Sequence, residues 1–153
     1  MLRVGKLTDY AIVVMTHLAR VSGLLHSANE IAADIGLALP TVSKVMKALV
    51  QNGLLVSHRG SKGGYSLAFR PQEISVAQVI AAIEGPIALT ECSDARGLCG
   101  QESLCAVRPN WQRINLAVRE ALEKVTLAEL ASQVTTYPVT FTPPAVLREL
   151  GGA

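Results

Sequence analysis

Cys92, Cys99 and Cys105 are the only thiols of the chain, and all three fall inside the acidic stretch "ECSDARGLCGQESLCAV" at 91–107. Thiolates are soft donors that suit metal centres and redox exchange. The pattern Cys-x6-Cys-x5-Cys contains no Cys-x-x-Cys pair, so it matches a structural zinc knuckle poorly. Glu91, Asp94 and Glu102 surround the thiols with negative charge, which does not favour a reactive thiolate. His17, His26 and His58 are all distant in sequence, so no cysteine–histidine nucleophile is apparent. Two chemistries stay open from the residues alone. The thiols are free and redox-active, or they wrap an iron–sulfur cluster whose remaining position is filled by a nitrogen or oxygen donor.

A second constellation is electrostatic. No Asp or Glu occurs between Asp34 and Glu73, yet Lys44, Lys47, Arg59, Lys62 and Arg70 do, a local charge of +5 in a chain whose total is +2. Such a block is the footprint of a phosphate-binding face. Thr41, Ser43, Lys44 and Lys47 share the polar side of one candidate helix, where they could reach base edges and phosphates of a major groove. Arg59 and Lys62 sit among glycines at a candidate hairpin tip, and an Arg there suits a narrow minor groove. A solvated helix face is the bland alternative.

The elements that must position these residues are legible in the periodicity. Leu7, Ala11, Val14, Met15 and Leu18 predict an amphipathic helix over 8–21. Ser27 and Glu30 form a capping box that opens a short helix stopping at Gly36. Pro40 suits the first position of the next helix, Val42, Val45, Met46 and Leu49 form its buried stripe, and Gly53 ends it. "LLVSH" and "YSLAF" read as strands around the turn "RGSKGG". Ser75 and Gln78 cap a helix carrying Val76, Val79, Ile80 and Ile83 and ending at Gly85-Pro86. After the cysteines, Pro109 opens a long helix with Trp111, Ile114, Val118, Leu122 and Val125 at three- and four-residue steps. Thr126 and Glu129 make a further capping box for a short helix to about 132.

The expected fold is mainly α with a small β-hairpin wing: a winged helix-turn-helix followed by a long C-terminal dimerisation helix. The organisation reads as a DNA-binding unit over 1–84, a cysteine-bearing loop over 85–108, the dimerisation helix and short terminal helix over 109–132, and a disordered tail over 133–153. Helices 8–21 and 109–125 both carry more apolar surface than a reading head of this size needs, which assigns them to a two-fold interface alongside intrachain packing.

With 153 residues, half of them apolar, the chain can bury a core without disulfide staples, and an odd cysteine count points to a reducing compartment. Asp9, His17 and Arg20 interrupt the apolar run near the N-terminus, and no run reaches the ~18–20 residues of a membrane span. A soluble cytoplasmic protein is expected. Phosphate-cradling loops, dinucleotide motifs and acid/base pairs are missing from the sequence, so no enzyme and no small-molecule substrate is expected.

The stretches "LTDYAIVVMTHLA", "SANEIAADIGLALPTVSKVMKALVQNGLLVSHRGSKGGYSLAF" and "ISVAQVIAAIEGPIALTEC" resemble the IscR-like family of bacterial iron–sulfur regulators over roughly 1–132. Within it the chain looks closest to the regulators of the SUF system, which control iron–sulfur cluster assembly genes. The resemblance implies a homodimeric winged-helix repressor that binds an operator in double-stranded DNA. It places Cys92, Cys99 and Cys105 on the family's cluster ligands, for a 2Fe–2S or 4Fe–4S centre. At the position where IscR uses a ligating His, this chain has Arg108, which cannot ligate iron. Nitric-oxide-sensing relatives instead use an Asp of the "TDYA" motif from the partner subunit, here Asp9. Asp9 equally suits a charge at a helix N-terminus, with Thr8 as cap. The resemblance implies a cluster-gated regulator; a thiol- or nitric-oxide-responsive repressor without a stable cluster, and an adaptor with a vestigial wing, are the competing readings.

Overall fold

The computed structural model describes residues 3–94, 100 and 104–132. The first helix, α1 (Lys6–Arg20), lies at the centre of the molecule and packs on α2 (Ala28–Ile35), α3 (Leu39–Gln51), α4 (Val76–Glu84) and α7 (Leu127–Ala131). Its apolar stripe explains this position. Ala11, Val14 and Met15 are fully buried, and Thr8, Leu18 and Ala19 line the same face. This stripe of α1 belongs to the protomer's own core, while Val13 on the same helix is 40% exposed.

α2 starts on the capping box read from the sequence: the Ser27 hydroxyl accepts from Glu30 N–H, and the Glu30 carboxylate accepts from Ser27 N–H. It stops where Gly36 enters the left-handed region at φ 68°. α3 begins at Leu39, with Ala38 as N-cap, so Pro40 occupies the second rather than the first position. Val42, Val45, Met46 and Leu49 bury the side of α3 that faces α1, leaving Ser43, Lys44 and Lys47 outside.

The wing consists of β1 (Leu55–His58) and β2 (Gly64–Leu67), antiparallel, with Leu55 opposite Leu67 and His58 opposite Gly64. On the far side of β2, His26 pairs with Tyr65 through two backbone hydrogen bonds of 3.2 and 2.8 Å. The α1–α2 connection therefore supplies a one-residue third strand. This pairing requires Gly64, because a Cβ there would come within 2.8 Å of the His26 carbonyl oxygen. Gly63 is equally constrained, with the His58 carbonyl oxygen 2.3 Å from where its Cβ would stand.

Two capping boxes meet behind α1. Ser75 caps α4 and Thr126 caps α7, and the two residues face each other across an antiparallel bridge in which Val76 N–H donates to Val125 O and Leu127 N–H to Ile74 O, both at 2.9 Å. This junction sends Leu127 fully into the core, beside Ile74 and Val79. Between these elements lie α5 (Glu91–Asp94) and the long α6 (Arg108–Lys124). α6 starts one residue before Pro109, and Asn115 is its only buried residue. Among the described residues no helix is long and apolar enough to cross a membrane.

Candidate nucleic-acid interface and cysteine segment

The basic residues of the second constellation fall on two adjoining elements. Ser43, Lys44 and Lys47 are exposed on α3, and Thr41 is half-buried near its start. Arg59 and Lys62 are exposed in the turn between β1 and β2. No hydrogen bond or ion pair engages the four charged groups Lys44, Lys47, Arg59 and Lys62 within the described residues. Arg70 differs. Its guanidinium donates to Glu73 at 2.9 and 3.2 Å, which raises the Arg70 pKa and lowers that of Glu73. The acid-free block thus yields four available cations rather than five.

A helix with an exposed polar and cationic face beside a two-stranded, glycine-tipped wing is the geometry of a winged-helix DNA-binding protein. The comparisons agree. The model of the Rrf2 family, described as an iron-dependent transcriptional regulator, matches residues 4–133, and the chain belongs to that family. It is 32% identical to the HTH-type transcriptional regulator IscR of Erwinia tasmaniensis over 127 residues, which cover 80% of this chain and 74% of that protein. Of solved structures, it is similar to CymR (YrzC), the global cysteine regulator of B. subtilis, with TM-score 0.69, 32% identity and coverage of 86% of this chain and 98% of that one. T. potens IscR superposes with TM-score 0.64 at 27% identity, covering 89% and 95% respectively. The chain is accordingly a transcriptional regulator of the Rrf2 family and not an enzyme.

The cysteine segment is reached through a tightly specified linker. Gly85, at φ 89°, reverses the chain after α4. The Asn115 side chain then holds the linker to α6: its amide nitrogen donates to Ile87 O at 3.1 Å, and its oxygen accepts from Leu89 N–H at 3.0 Å. Each such bond nets about 1 kcal/mol, and leaving a buried partner unsatisfied costs about 1–3 kcal/mol. Asn115 is only 8% exposed, so the clamp is shielded from competing water. Next, Ser93 N–H donates to Thr90 O and the Thr90 and Ser93 hydroxyls pair at 2.8 Å, which sets the single turn of α5 that carries Cys92.

Cys105 is half-buried with a free thiol, and its carbonyl accepts from Arg108 N–H at 3.3 Å where α6 begins. Cys99 lies outside the described residues, as does the tail over 133–153 expected to be disordered. The described set alone contains no group of three potential metal ligands. As a donor set, three thiols with one end on α5 and the other at the start of α6 fit an iron–sulfur centre chemically. Asp9 stands in the first turn of α1 with an exposed carboxylate that no described residue engages. The α1 N-cap is Gly5, not Thr8, so Asp9 is not part of a Thr8 cap.

Sequence reasoning missed two polar residues that organise this region, Asn115 and Glu84. An Asn within a helix and a Glu before a glycine carry no periodicity signal, because their partners are distant backbone groups.

Proposed function

We propose that the protein is a homodimeric repressor of iron–sulfur cluster assembly genes, of the SUF type, whose operator affinity is set by a cluster held on Cys92, Cys99 and Cys105. The observation that carries this reading is the joint placement of the cysteine segment. It leaves the reading head at α4 and returns at the start of α6, so its ends belong to the two parts of the molecule whose relation decides how two heads meet one operator. The similarity to IscR proteins, carried by "RGSKGGYSL", "ISVAQVIAAIEG" and the three spaced cysteines, supports the cofactor, and the resemblance to SUF-system regulators within that family supports the SUF assignment.

In this reading Thr41, Ser43, Lys44 and Lys47 meet the major groove, while Arg59 and Lys62 reach the minor groove and backbone. α6 supplies the dimer contact, since Trp111 and Ile114, three residues apart on one face, are 40% and 46% exposed in the protomer. Asp9 of one protomer completes the ligand set of the other, which accounts for a carboxylate with no partner among the described residues. When bound, the cluster supplies a link between the thiolates that iron supply, oxygen or nitric oxide can break. The carboxylate is a harder donor than a thiolate and makes that link easier to lose.

The experiment is anaerobic visible absorption with iron and sulfide quantified on the same sample, followed by operator binding of cluster-loaded and cluster-free protein. Charge-transfer bands with stoichiometric iron and sulfide, and a changed affinity on loading, are the expected results. A colourless protein that resists reconstitution, yet changes its DNA affinity on oxidation, would instead assign the cysteines to thiol sensing.

A further inference from the structure

We infer that Asn115 is the positioning residue that transmits the state of the cysteine segment to the reading head; the inference rests on the reading that this segment gates DNA binding. α6 holds both ends of the segment. One end is covalent, where Cys105 precedes the first turn of α6 by three residues and its carbonyl accepts from Arg108 N–H. The other is the Asn115 clamp on Ile87 and Leu89, seven residues further along α6 from Arg108, about 10 Å along the axis.

The side-chain amide acts here as a peptide group would in a sheet. It donates to one residue of the linker and accepts from the residue two further on, so it fixes the direction of the linker as well as its distance. Only Thr90 separates Leu89 from the turn that carries Cys92, and only Gly85 and Pro86 separate Ile87 from the end of α4. Tying Cys92 to Cys105 therefore closes a ring that runs through α6, Asn115 and the linker. A change at the thiolates then shifts α4 relative to α6. With the clamp gone, the ring is open, and the linker absorbs the change without moving the head. Asn115 is the sole buried residue of α6, in a helix whose other polar residues face solvent or are half-buried, so its burial serves this contact.

The test uses the full chain and a DNA duplex selected from random sequence for binding to the wild-type protein. Affinity is measured with the cluster loaded and removed, for wild type, Asn115→Leu and Asn115→Asp. The wild-type forms are expected to differ by about tenfold or more. Asn115→Leu should hold wild-type iron and sulfide and bind DNA equally in both forms, with faster exchange of the Leu89 amide in cluster-free protein. Asn115→Asp, which keeps the acceptor for Leu89 and loses the donor to Ile87, should fall between. A wild-type ratio in Asn115→Leu overturns the inference, as does a parallel loss of affinity in both forms, which marks a purely structural role. Should Asn115→Leu fail to fold, a wild-type ratio in Asn115→Asp overturns it. Absence of any ratio in the wild type overturns the gating reading and this inference together, and is seen before any substitution is made.

Discussion

Glu84, the last residue of α4, serves as the capping carboxylate of a helix that begins 78 residues earlier: it accepts from Gly5 N–H at 2.9 Å and from the hydroxyl of Thr8. In an ordinary capping box the third residue of the helix itself reaches back to the N-cap. Here that third residue is Thr8, too short to do so and fully buried, and the carboxylate arrives from another helix. Local and tertiary structure are thereby joined at one oxygen. The start of α1, where Asp9 stands, is tied to the joint from which the cysteine linker departs.

Glu84→Ala removes the acceptor of a backbone N–H and of a buried hydroxyl together, so a stability loss of about 1–3 kcal/mol is expected. The thermal midpoint should fall by several degrees, with Thr8→Val showing a smaller loss because Gly5 keeps its partner. Equal midpoints for Glu84→Ala and wild type would remove the cap from the account of stability.

The wing offers a different kind of test. Gly64→Ala forces a Cβ to within 2.8 Å of the His26 carbonyl oxygen, a backbone atom that cannot rotate away. The expected outcome is rupture of the His26–Tyr65 pairing and a DNA affinity lowered more than global stability, since Tyr65 is the end of the core's reach into the wing. DNA binding measured beside a urea unfolding curve separates the two. An unaltered affinity would show that the wing position is immaterial to binding.

For the reading head, Lys44→Ala and Arg59→Ala should each weaken binding and lower the slope of log affinity against log salt by about 1 if the side chain meets a phosphate. Thr41→Ala or Ser43→Ala should instead alter preference among sequences while leaving the slope intact. Retention of full affinity in both charge variants would move the phosphate contacts away from Lys44 and Arg59.

Acid sensitivity follows from the caps. The Glu30 carboxyl is held below its ordinary value of 4.5 first by the Ser27 backbone N–H and then by the Ser27 hydroxyl. Glu73 is likewise lowered, first by the Arg70 guanidinium hydrogen bond and then by the Arg70 backbone N–H. A carboxyl with a depressed folded-state pKa contributes stability that is complete above the unfolded value and lost as pH falls through the folded one. Between about pH 5 and about pH 3, wild type should lose more thermal stability than the Glu30→Gln/Glu73→Gln variant, whose amides still accept but do not titrate. Ser75 and Gln78 already show a neutral box of this kind. Parallel losses in the two proteins would mean that other groups dominate acid unfolding.

Much of this architecture is legible in the residues because it is encoded locally. Ser27 with Glu30, Ser75 with Gln78 and Thr126 with Glu129 announce three helix starts, and each box forms as read. The alternation of Val42, Val45, Met46 and Leu49 gives the buried side of α3, hence the exposed side as well. Contacts between distant segments were not legible. Nothing local says that the Ser75 and Thr126 caps pair with each other, that Glu84 caps α1, or that Asn115 reaches the 87–89 backbone. The basic block shows the complementary limit: charge counted along the chain includes Arg70, whose partner Glu73 stands just beyond the counted interval.

The exposed side of α6 yields the remaining prediction. Trp111 and Ile114 lie three residues apart on one face, and Val118 and Leu122 continue it half-buried. Asn115 on the same side is buried against the protomer, whereas Trp111 and Ile114 remain 40% and 46% exposed. A pair of such helices, related by a two-fold axis, would cover both stripes and set the separation of the two α3 helices on DNA. Ile114→Glu places a charge in the middle of that stripe, where burial without a partner is costly. The expected result is a protein that sediments as a monomer with its helical content retained and its DNA affinity sharply reduced, since the second head no longer binds from a tethered position. Arg119→Ala, which removes only the exposed pairing with Glu123, should leave the dimer intact. A dimer that survives Ile114→Glu would move the two-fold contact away from this face of α6.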